Sequence, residues 1–134
     1  MSKLVKLIVR GALGGALGGV CWIVLVGVTV PPRSSISNPY LFVAILYIIP
    51  YGLATGSVIG LAVWTLHLLI RSNIGVALRV LIGFILGTIA HRLLPGGTYS
   101  VSLQREVLFA VSFGLLVGVF TGLFIGNQIR TEVR

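Results

Sequence analysis

The chain has 134 residues, 57% of them apolar and only 9% charged, with a mean hydropathy of +1.11. A soluble domain is about one quarter charged, and a disordered one combines low hydropathy with dense charge, so both classes are excluded. The net charge of +8 comes from ten Lys and Arg against Glu106 and Glu132, and these cations are scattered singly between apolar runs. That scatter argues against nucleic acid as a partner, which needs cations gathered on one face, and fits positions at the boundaries of a bilayer.

The class expected is an all-α integral membrane protein with a single transmembrane domain over 1–134. Its helices are predicted over about 7–30, 40–70, 74–94 and 106–129. The first segment places Lys3, Lys6 and Arg10 before an uncharged run from Gly11 to Val30, about the length a bilayer crossing asks for. It imitates a secretory signal, but Val28-Thr29-Val30-Pro31-Pro32 lacks the small residues of a cleavage site. Val20 before Cys21 likewise departs from a lipoprotein box, so the segment is read as a retained anchor. The lone Cys21 cannot close an intramolecular disulfide and is expected to be a small packing residue. Pro31, Pro32 and Arg33 stop the helix.

Asn38-Pro39 reads as a turn initiator, followed by an uncharged run from Tyr40 to Ile70 that is longer than one crossing needs. It is expected to tilt, to bend at Pro50 or to project a turn beyond the apolar core. In the third segment only Val80 to His91 lies between Arg79 and Arg92. A helix over that stretch rises about 20 Å, so the crossing relies on both arginines snorkelling. Pro95-Gly96-Gly97 supplies the stop, and Glu106 opens the fourth helix, where a carboxylate favours the helix dipole.

With four crossings and the N-terminus inside, Lys3, Lys6, Arg10, Arg71, Arg79, Arg130 and Arg134 face the cytoplasm and Arg33, Arg92 and Arg105 face out. Both termini are then cytoplasmic, and a bacterial inner membrane is the expected location. The same imbalance persists if the third segment does not cross, so charge sets the N-terminus and leaves the crossing number open.

Glycine recurs at four-residue steps in every span: Gly11, Gly15 and Gly19, with Gly14 and Gly18 on an adjacent stripe; Gly52, Gly56 and Gly60; Gly75, Gly83 and Gly87; Gly114, Gly118, Gly122 and Gly126. Residues four apart share a helix face, and bare faces let helices approach in lipid, where packing replaces the hydrophobic drive. These faces are expected to pack the chain against itself and, because four helices carry so many of them, to leave a groove for another subunit, a lipid or a flat cofactor. Their recurrence also predicts two α-hairpin repeats, with Arg10-Gly11 to Tyr51-Gly52 corresponding to Arg79-Val80 to Phe113-Gly114. Four small glycine-stepped helices are similar in pattern to mitochondrial inner-membrane translocase-type proteins, a resemblance that assigns no residue a role.

Neither acid lies within a predicted membrane core, Glu106 starting the fourth helix and Glu132 following it, which argues against a carboxylate-driven pump. No P-loop, nucleophile elbow or clustered metal motif is present, so no enzyme is expected. His91 and His67 are the candidates for a haem, chlorophyll-type pigment or metal ligand, with Gly87 one turn before His91 as a bare strip for a macrocycle. They are predicted at opposite faces, and no cofactor is assigned; bound lipid is expected. Arg79 is expected to reach headgroups or to pair with a carboxylate of a partner subunit. Tyr40 and Tyr99 suit an outer belt, whereas Trp22 and Tyr51 lie deeper. The function expected is a non-catalytic accessory subunit of a larger membrane complex, respiratory or photosynthetic, in contact with lipid and other integral subunits. The alternative is a small transporter or channel assembled from several copies, lined by Thr55, Ser57, Thr65 and Thr88.

Overall fold

The computed structural model describes residues 2–29, 38–70, 74–93 and 103–126. Expectations resting on Pro31 to Arg33, Arg71, Pro95 to Gly97, Tyr99 and residues 127–134, and on the Tyr40 side chain, lie outside the described residues. Four helices make up the described chain: α1 (Lys3–Thr29), α2 (Asn38–Ile70), α3 (Val76–Leu93) and α4 (Leu103–Gly126). Each is long and apolar enough to cross a membrane, which suggests a multi-pass membrane protein. The shortest, α3, has 18 residues and a mean hydropathy of 1.7, and at about 27 Å it nearly matches the roughly 30 Å of a hydrocarbon core.

Helix α1 starts at Lys3, about a turn before the expected residue 7 and about two turns before its uncharged run. Ser2 caps it: the Lys6 amide donates to the Ser2 carbonyl at 3.2 Å, and the Val5 amide lies 3.4 Å from the Ser2 hydroxyl. Lys3 and Lys6 therefore belong to the helix, because uncharged length marks the apolar stretch and capping marks the helix. Helix α4 likewise begins before Glu106, at Leu103. Helix α2 runs on through Pro50 without a break.

Helix α1 packs closely on both α2 and α4, α3 packs mainly on α4, and α2 and α3 touch lightly. Phe113, Ile59, Ile125, Val63 and Val117 are fully buried at the centre with Thr121, whose hydroxyl donates to the Val117 carbonyl at 2.6 Å. The outward faces carry Val9, Leu13 and Leu17 on α1, Leu46 and Leu61 on α2, Leu81, Ile85 and Ile89 on α3, and Leu108 and Leu123 on α4.

The two hairpins bury matching positions. Along α2 these are Ile48, Gly52, Thr55, Gly56, Ile59, Gly60 and Val63; along α4 they are Ala110, Gly114, Val117, Gly118, Thr121, Gly122 and Ile125 at the same spacing. Helix α1 buries Leu7, Gly11 and Gly15 where α3 buries Arg79, Gly83 and Gly87. Interhelical approaches keep this register: Gly52 meets Ala16 as Gly114 meets Thr88, and Gly60 meets Ile8 as Gly122 meets Val80. The equivalent of Arg79 is thus Leu7, one turn from the Arg10 that the sequence comparison places there. Arg10 is a misleading landmark because its side chain is only half-buried, on a face of α1 away from the α2 contact.

Candidate functional site

The glycine faces are occupied within the chain. A Cβ on Gly15 would stand 2.8 Å from the Gly56 Cα, and one on Gly60 2.7 Å from the Leu7 carbonyl oxygen. In the second hairpin a Cβ on Gly83 would stand 2.6 Å from the Gly118 Cα, and one on Gly87 2.9 Å from the Gly114 Cα. Contacts under 3.0 Å to backbone leave no room for a methyl group. Gly11 faces Gly56 and Gly60, and Gly19 faces the Ile48 side chain. The adjacent stripe of α1 serves another neighbour: Gly14 lies against Thr121 and Gly18 against Val117, both on α4. Gly122 abuts Val80 and Gly126 abuts Arg79. Of the described glycines, Gly75 has open space where a side chain would stand. Among the described residues, the four-residue glycine strips of the spans are filled by neighbouring helices, whereas Gly27 of α1 is exposed.

Around the α3 end and the first half of α4, Trp22, Tyr51, His91, Phe109 and Phe113 form one aromatic cluster. The Trp22 ring meets His91 edge-on at 5.1 Å and Phe113 at 5.4 Å, and His91 lies 5.5 Å from Phe113. The Trp22 indole donates to the Ser112 hydroxyl at 3.0 Å, which donates to the Phe109 carbonyl, also at 3.0 Å. The Tyr51 hydroxyl donates to the Ala90 carbonyl and ties α2 to α3. His91 therefore sits between two aromatic rings, and the Gly87 strip below it is filled by Gly114. His67 lies on α2 about 24 Å of helix rise beyond Tyr51, with its ring 6.2 Å from Trp64. The structure does not bring the two histidines together. No group of three or more metal-ligating side chains occurs among the described residues. Also at this end, Arg92 and Glu106 join α3 to α4 at 3.5 Å, with half of the Arg92 side chain exposed.

At the opposite end Arg79 is 4% exposed. Its Nη2 donates to the Ile74 carbonyl just before α3, whereas Nε and Nη1 are buried without a hydrogen-bond partner. Nη1 stands 3.0 Å from the point a Gly126 Cβ would occupy. The guanidinium is thus folded into the junction of α3 and α4 rather than extended to the surface. Among the polar side chains expected to line a pore, Thr55 is buried and donates to the Tyr51 carbonyl at 2.9 Å, and Thr88 donates to the Phe84 carbonyl at 2.8 Å while pressed against Gly114. Ser57 and Thr65 donate to carbonyls of their own helix, with Thr65 on its outward face.

Sequence reading missed Thr121, the Trp22–Ser112 link and the Arg92–Glu106 pair. A signal existed for the first, a hydroxyl interrupting the glycine ladder of α4; the others join residues on separate helices that no spacing connects. No protein-family model, no curated protein and no solved structure matches the chain.

Proposed function

We propose that the chain is a membrane-embedded, non-catalytic subunit that docks through its outer ridges onto helices of a larger assembly, of energy-converting type. The observation that carries this reading is the solid interior. Phe113, Ile59, Val63, Val117 and Ile125 are wholly buried at its centre, and the glycine faces are engaged inside the bundle. What the molecule offers its surroundings is a set of apolar ridges, such as Val9, Leu13 and Leu17 on α1 and Leu81, Ile85 and Ile89 on α3. Such ridges suit lipid tails and neighbouring helices. The cation imbalance supports a cytoplasmic N-terminus; with four crossings the C-terminus lies on the same side, and a bacterial inner membrane is the proposed location.

Gentle extraction of the tagged chain from its native membrane tests the role. A stoichiometric companion subunit is the expected result, and recovery as a free monomer alone would contradict it. A pore of several copies is the second reading, favoured by the hydroxyl of Thr65 on the outward face of α2. Flux through liposomes holding this protein alone separates the two: the subunit reading predicts none.

A further inference from the structure

Arg79 carries a permanent positive charge, since a guanidinium does not lose its proton in a protein. At 4% exposure with two nitrogens unpartnered, such a cation is costly unless an anion reaches it. The described part of the chain supplies none: Glu106, the acid it contains, lies at the other end of the bundle against Arg92. The corresponding position of the first hairpin carries no charge. The equivalent of Arg79 there is Leu7, and the equivalent of Gly126 beside it is Trp64, a large ring packed against the core. The second hairpin has replaced an apolar pair by an arginine and the space that accommodates it.

We propose that Arg79 and the first turn of α3 form a binding site for a phosphate group, supplied by the headgroup of an anionic phospholipid in the leaflet at that end. Three further observations place it. The first amides of α3 have no acceptor within their own helix and carry its positive dipole end, a ready seat for a phosphate oxygen. Gly75, immediately before them, is exposed and has open space around its Cα. Nη2 already reaches the carbonyl of Ile74, the residue next to that space. The first turn of α1, with Lys3 and Lys6, lies at the same end, because Leu7 meets Gly60 near the end of α2 and Gly14 meets Thr121 near the end of α4. That end of the bundle is where the phosphates of one leaflet would meet the first turn of α3, and Lys3 and Lys6 serve here only to mark the end, not as ligands.

This inference rests on insertion in a bilayer and is independent of the accessory role. The test is native mass spectrometry and thermal unfolding of the purified full chain in a neutral, phosphate-free detergent. Phosphatidylglycerol, diacylglycerol and inorganic phosphate are added separately to wild type, R79M and K6Q. Wild type is expected to retain one phosphatidylglycerol roughly tenfold more tightly than R79M does, to gain Tm with that lipid, and to ignore diacylglycerol. K6Q, which removes an exposed cation of the same end, is expected to bind within about twofold of wild type. R79M loses an unpaired buried charge and so is expected to fold, with a Tm in lipid-free detergent at or above that of wild type. Stabilisation of wild type by inorganic phosphate alone, abolished in R79M, would keep the phosphate site and assign it to the free ion. Equal lipid retention by wild type and R79M, or equal loss in K6Q and R79M, would overturn the proposal. A water-soluble chain would defeat the bilayer reading before any lipid is added.

Discussion

The two hairpins bury matching positions along α2 and α4 and along one glycine face of α1 and α3, and they differ on the second stripe of α1, which accounts for the asymmetry of the bundle. On the inner stripe of α1, Gly14 and Gly18 admit the backbone of α4; the equivalents on α3 are Leu86 and Ala90, which carry side chains, that of Leu86 packed against the core. The α1–α4 seam is therefore close and the α2–α3 seam slight, with the Tyr51 hydroxyl bridging it to the Ala90 carbonyl. Helix separation in lipid is set by how much side chain stands between backbones. At the other end Leu7 and Trp64 in one hairpin become Arg79 and Gly126 in the other, which turns a packing contact into a buried charge.

The equivalence is broken most severely by filling a shared face. G56L and its counterpart G118L each drive a side chain into backbone, and each is expected to cost at least about 3 kcal/mol by overpacking, read as a matching fall in Tm. A large loss at one with none at the other would show that the faces are not equivalent. Next in size, R79L combined with G126W copies the first hairpin into the second. In neutral detergent it is expected to raise stability by about 1–4 kcal/mol through removal of an uncompensated buried charge, and a loss would show that Arg79 is already satisfied. Smaller again, A90G is expected to let α2 and α3 approach, seen as increased cross-linking between them, at a cost of about 1 kcal/mol in helix propensity. The smallest effect belongs to R92Q. Its ion pair with Glu106 is largely solvated, so its loss is expected to change stability by less than about 0.5 kcal/mol, measured as a Tm shift near the detection limit.

The helices were legible because charge is excluded from long stretches: Gly11 to Val30 and Tyr40 to Ile70 announce themselves without reference to any partner. The glycine steps showed which stripes lack side chains, but not that Gly11 and Gly15 face α2 while Gly14 and Gly18 face α4, since that depends on the order of helices around the bundle. The repeat was visible in α2 and α4, where Gly52, Gly56 and Gly60 match Gly114, Gly118 and Gly122. It was one turn out of register in α1 and α3, because Arg10 drew the alignment to itself although Leu7 holds the equivalent place. Spacing placed Arg79 within the apolar zone on the ridge of Gly83 and Gly87, but its enclosure by α4 was not legible, because the room for it is made by Gly126 on another helix. His91 looked open beside Gly87 for the same reason: Gly114 and the rings of Trp22 and Phe113, which enclose it, come from elsewhere in the chain.

Disulfide trapping in native membranes measures the pairing itself. In a Cys21→Ser background, the pairs Gly19→Cys with Ile48→Cys and His91→Cys with Ala110→Cys occupy equivalent places in the two hairpins, Gly19 standing 3.2 Å from the Ile48 side chain by its absent Cβ. Both pairs are expected to close intramolecularly under mild oxidation, whereas Gly19→Cys with Val58→Cys, about 15 Å further along α2, is not. Closure in the first hairpin but not in the second would contradict the equivalence, and closure in neither would contradict the packing of the helices described here.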